Sequence, residues 1–178
     1  MKLQLSFKMA WLLTAVSLVP FLCLGQELLP ARFAFEPELP YNQQIESPAD
    51  FLGYELGADF TFYHDMVAYM RQLAAASPRV TIGGYGKTYE NRPLIYLVIT
   101  SEANQQRIDE IKAANQRLAD PTAISQAEAE QLISNEPVIV SYSYNIHGNE
   151  ASGTEAAMQV AYRLAAADLF GRADALLT

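Results

Sequence analysis

The residues best placed to do chemistry are His147 and Glu150, in the run Asn145-Ile146-His147-Gly148-Asn149-Glu150. Zinc takes imidazole nitrogen and carboxylate oxygen in a tetrahedral or slightly expanded shell. A histidine and a glutamate three residues apart, with a glycine between them, can turn both side chains onto one ion. Asn149 tolerates the left-handed backbone that such a turn can require. The spacing is weak by itself, because short motifs recur by chance. The competing interpretation is a loop histidine paired with a surface carboxylate.

Few other side chains can join such a site. The second histidine, His64, sits in a helical pattern in line with Phe60 and Val67, which makes it a helix-surface or half-buried residue. Cys23 is the only cysteine. The chain therefore cannot build a three-histidine or thiolate site.

The elements around the pair support a site. Residues 137–144, with Val138-Ile139-Val140 at their heart, form an apolar, β-branched and aromatic run suited to a strand covered on both faces. A polar turn follows, then a helix over 152–168, so His147 and Glu150 lie at the carboxyl end of a buried strand. That edge is where open α/β sheets bind ligands. Ser152-Gly153-Thr154-Glu155 has capping-box spacing and marks the helix start.

Upstream, Tyr63, Val67, Met70 and Ala74 predict a helix over 59–76, stopped by Ser77-Pro78. Strands over 80–86 and 94–100 flank a turn at 87–93 and make a β-hairpin. A helix over 103–118 uses Ile108, Ile111 and Leu118, and Ser125-Gln126-Ala127-Glu128 caps a short helix reaching 134. Alternating helices and strands predict an α/β domain over 58–178. Residues 26–57, broken by Pro30, Pro37, Pro40 and Pro48, predict an irregular lead-in whose aromatics lie against the body. The chain reaches Thr178 soon after a helix with no closing element, and so reads as truncated.

The first 25 residues have the layout of a removable secretory signal. Lys2 and Lys8 precede an apolar run over 9–24, and cleavage is expected before Gln26. A retained membrane anchor is the rival, but the run is short for a span of about 20 residues and contains Pro20. The expected location is secreted or periplasmic, with no stable membrane span after cleavage. Losing two lysines and no acid moves the formal charge from −8 to −10. So acidic a chain has no electrostatic footprint for nucleic acid. Cys23 leaves with the signal, so no disulfide forms within the mature chain.

Two segments in order resemble the zinc carboxypeptidase family, which includes pancreatic carboxypeptidases A and B. One is the hairpin Ile82-Gly83-Gly84-Tyr85-Gly86-Lys87-Thr88-Tyr89-Glu90-Asn91-Arg92-Pro93-Leu94, similar to the family's early hairpin with its Glu-Gly-Arg turn. The other is His147-Gly148-Asn149-Glu150, similar to the family's His-x-x-Glu zinc motif. The helix ending in Ser77-Pro78-Arg79-Val80 fits the family's opening, and the resemblance covers about 58–178. Asn91 stands where glycine is common, and asparagine is the next most tolerant of positive φ.

The resemblance implies an α/β/α sandwich with a mixed central sheet, present here in part. It implies Zn2+ held by His147, Glu150 and a histidine far downstream, where the general-base glutamate also lies. It gives Arg92 an outer substrate subsite, against which a plain surface arginine must be weighed. It implies peptide or protein C-termini as substrate. Related zinc amidohydrolases of the aspartoacylase type share the His-x-x-Glu pair, and a non-catalytic exported binding domain is the third reading. Glu90-Asn91-Arg92 favours the peptidase.

Overall fold

The computed structural model describes residues 40–120 and 122–167. The signal read over 1–25 and the lead-in as far as residue 39 lie outside the described residues. Among those described, six helices accompany one two-stranded antiparallel sheet, a mixed α/β arrangement. No helix among them is long and apolar enough to cross a membrane.

The lead-in contains a short helix, α1 (Pro48–Leu52). Ser47 Oγ accepts from Asp50 N at 3.1 Å, Pro48 occupies the first turn, and Gly53 at φ 78° closes the helix. Proline is tolerated there because the first-turn N–H groups have no helical partner anyway. Tyr41 stacks on Tyr162 with centroids 5.2 Å apart, and Phe51 leans on Tyr69 at 5.4 Å.

Helix α2 (Tyr63–Ala76) starts later than the apolar periodicity suggested and buries Met66, Val67, Tyr69, Met70 and Leu73. Tyr63 and Ala74, expected on the core face, are only partly covered. The buried stripe follows spacings of three and four one step round the helix from the sequence expectation. Opposite it, α6 (Ser152–Ala166) buries Thr154, Met158, Ala161, Ala165 and Ala166. Tyr69 and Met158 are 0% exposed, and Leu73 is nearly so. Burying a side chain of this size contributes about 1.5–3 kcal/mol.

Strands β1 (Val80–Lys87) and β2 (Pro93–Ile99) form the expected hairpin, running from Val80↔Ile99 to Lys87↔Pro93 with a bulge between Gly84 and Gly86. The ring of Tyr96 lies across Gly83, where a Cβ would fall 2.4 Å from Cζ. In the turn, Thr88 N donates to Arg92 O at 2.9 Å and Asn91 N donates to Thr88 O at 2.9 Å. Asn91 holds φ 62°, the left-handed conformation that its position in the turn demands.

The single helix expected over 103–118 is two: α3 (Glu102–Gln106) and α4 (Ile108–Ala119). The break falls at Arg107. The buried Asn104 side chain accepts from Arg107 Nε at 3.3 Å and donates to Thr100 Oγ1 at 3.2 Å. A polar side chain bonded locally in this way competes with the helical ladder. Helix α5 (Gln126–Asn135) begins at the expected Ser125 cap, which accepts from Glu128 N at 3.3 Å.

The buried strand expected over 137–144 does not form. The run has no ladder partner among the described residues and is in contact with solvent, Val138 being 88% exposed. Tyr142 and Tyr144 stack at 6.4 Å, as alternate residues on one face of an extended chain do. Local β preference made the segment extended, but only pairing makes a strand. Among the described residues the sheet is thus the hairpin alone.

Burial, with Tyr162 and Glu46 adding repulsion, pushes the Tyr69 hydroxyl well above its ordinary value of 10.0. The fold holds the neutral phenol, whereas the unfolded chain ionises near pH 10. Stability is therefore intact below pH 10 and falls as pH rises beyond it. Tyr69→Phe should flatten that alkaline loss in urea melts while costing about 1 kcal/mol at neutral pH, since Tyr69 also donates to Glu46 O. Leu73→Ala should cost about 2–5 kcal/mol in the same assay.

Candidate metal centre

The segment entering α6 is a succession of tight turns. Glu150 N donates to His147 O at 3.0 Å, Gly153 N to Glu150 O at 3.2 Å, and Thr154 N to Ala151 O at 3.1 Å. His147 and Glu150 are thus the first and last residues of one four-residue turn, whose ends approach within about 7 Å. Their side chains meet: His147 Nδ1 lies 3.1 Å from Glu150 Oε1. They are 69% and 65% exposed.

This donor pair suits zinc. With metal–ligand bonds of about 2.0–2.2 Å, two vertices of a tetrahedron lie roughly 3.3–3.5 Å apart. At 3.1 Å the two atoms are at direct hydrogen-bond distance, just short of that separation. The pair faces solvent, so an ion can reach it. Among the described residues no group of three His, Cys, Asp or Glu side chains converges on a metal position. His147 and Glu150 thus meet as a pair, with no third such side chain beside them among the described residues.

Asn149 does not take the left-handed conformation considered for it, and neither does Gly148; that role belongs to Asn145, at φ 55°. The capping box expected at 152–155 is also absent. Ala151 caps α6 without a side-chain bond. Thr154 instead accepts from the Asn145 amide, and Glu155 Oε1 accepts from Thr61 N at 3.0 Å. Ser152 lies inside the helix rather than at its cap, and Glu155, the other half of the box, is taken by Thr61. Asn145 and Thr154 went unrecognised in the sequence; the asparagine's tolerance of positive φ was the one available signal.

Arg92 lies apart from this turn in its bonding. It pairs with Glu90 Oε2 at 2.8 Å on the hairpin, with both side chains exposed. His64 projects from α2, 79% exposed, near Asp65 and stacked on Phe62 at 5.6 Å. Burial, reinforced by Tyr142, raises the Tyr144 hydroxyl above its ordinary range, so it is neutral at physiological pH. A Cβ at Gly148 would meet nothing within 4 Å. Gly148→Ala should therefore leave zinc affinity within about twofold and raise stability by about 0.4–1 kcal/mol, read by calorimetry.

The chain was compared with known proteins at three levels. No curated protein and no solved structure matches it. The family model described as zinc carboxypeptidase matches residues 66–174, a stretch that contains both the β1–β2 hairpin and the His147–Glu150 turn. That match spans more than half of the sequence, and the chain belongs to the zinc carboxypeptidase family.

Proposed function

We propose that this chain is the metal-bearing, N-terminal part of a zinc-dependent metallocarboxypeptidase that releases C-terminal residues from peptides and proteins. The 3.1 Å approach of His147 Nδ1 to Glu150 Oε1, within the family match, carries this reading. His147 and Glu150 would hold Zn2+, which when bound polarises a carbonyl and acidifies a water molecule. These two residues orient and retain the ion; neither moves a proton. A histidine other than His147 and His64, which the 178 residues do not supply, and a general-base glutamate would complete the centre.

Arg92 is assigned to an outer substrate subsite. Its pairing with Glu90 is exposed, and such pairs are worth about 0–1 kcal/mol, so a peptide carbonyl or carboxylate can displace the glutamate at little cost. The formed Glu90-Asn91-Arg92 turn supports the peptidase over an amidohydrolase of the aspartoacylase type. In the complete domain the 137–144 run would join a mixed central sheet between helical layers. The leader over 1–25 would direct the protein to a secreted or periplasmic location, where peptides are the substrate.

A centre with two protein donors binds metal weakly and turns over no peptide. The purified 178-residue chain should release no C-terminal amino acid from a test peptide with zinc present, as followed by mass spectrometry. His147→Ala should weaken zinc binding about tenfold or more by titration calorimetry, whereas His64→Ala should leave it unchanged. Equal affinities in the two variants would take His147 out of the site.

A further inference from the structure

We infer that Asn145, Gly153 and Thr154 form a lock that sets the backbone of the metal-binding turn, making them positioning residues for His147 and Glu150. The inference rests on the zinc reading above and extends it to residues that touch no metal. His147 and Glu150 are mostly exposed, so no packed wall orients their side chains. Their mutual geometry has to come from the backbone that carries them.

That backbone is pinned at both feet. On the leading side, Asn145 sits in the left-handed region at φ 55° and redirects the chain just before the ligands. Its side-chain amide donates to Thr154 Oγ1 on the first turn of α6. Thr154 is buried and lies on the same helix face as the fully enclosed Met158, so this foot stands on the core. On the trailing side, Gly153 lies directly beneath Asn145. A Cβ there would come within 2.5 Å of Asn145 Oδ1 and 3.3 Å of its backbone nitrogen. The asparagine cannot simply swing aside without losing Thr154.

Glycine is the poorest helix former after proline, yet it occupies the opening turn of α6. The close approach of Asn145 accounts for it. Both ligands therefore lie in a loop whose two ends are clamped together by one amide, one hydroxyl and one missing Cβ. Metal ligands need placement to within about 0.2 Å, and outer-shell changes commonly weaken metal binding about 10–100-fold. Displacing either foot moves His147 relative to Glu150.

The test titrates the full chain with Zn2+ by calorimetry and with Co2+ by visible absorption, whose band shape reports ligand geometry. Gly153→Ala and Asn145→Ala should each weaken zinc binding about tenfold and alter the cobalt band, with far-ultraviolet circular dichroism unchanged. Asn145→Asp, which tolerates the same φ and whose carboxylate can accept from the Thr154 hydroxyl in place of the donating amide, should recover part of the affinity. Thr154→Val removes only the hydroxyl and decides by the same criterion if Gly153→Ala fails to fold. Affinities within twofold of the unsubstituted chain in these variants, while His147→Ala still weakens binding, would overturn the lock and leave the zinc reading standing. If His147→Ala has no effect either, both fall.

Discussion

Tyr69 on α2 and Met158 on α6 are wholly enclosed in one apolar cluster, and the position of the His147–Glu150 turn depends on that seam. Met158, Ala161 and Ala165 continue a stripe that begins at Thr154, at spacings of four, three and four. Such spacing keeps all four residues on one face of the helix. The core thereby reaches to the very start of α6, where the chain arrives from His147 and Glu150. Ser77 Oγ donates to Ala165 O at 3.2 Å and Arg79 Nη1 to Ala167 O at 2.9 Å, fixing the other end of the same helix. A helix held at both ends is a rigid base for the exposed His147–Glu150 pair.

Near that base, polar groups that would ordinarily cap a helix are used for tertiary contacts. Thr154 holds Asn145, and Glu155 holds the backbone of Thr61, so the start of α6 is tied to the segments before it and before α2. Local capping would have satisfied the same donors without fixing where the helix sits. Here the helix gives up a side-chain cap, typically worth about 1 kcal/mol, and gains placement.

Much of this was legible in the residues. The hairpin followed from turn chemistry and the Ser125 cap from the serine-to-glutamate spacing, because both are local effects, while the left-handed Asn91 was suggested by its place where the family resemblance has glycine. The meeting of His147 with Glu150 followed from a separation of three residues across a turn. What could not be read depended on contacts distant in sequence. Arg107 breaks a helix around a buried asparagine, Asn145 rather than Asn149 takes positive φ because Thr154 and Gly153 are waiting for it, and the core face of α2 is rotated toward α6. The 137–144 run carried a strong β signal in its composition, and composition says nothing about where its hydrogen-bonding neighbours are.

That run has a consequence for how the protein must be handled by the cell. Val138-Ile139-Val140-Ser141-Tyr142-Ser143-Tyr144 carries no charge, no proline and no glycine, and its edges present free amides and carbonyls. Segments of this kind are templates for cross-β stacking between identical chains. Exposed as it is, the stretch is a sticky seam open to its own copies. Holding the chain in a chaperone-bound state would keep such seams from finding one another.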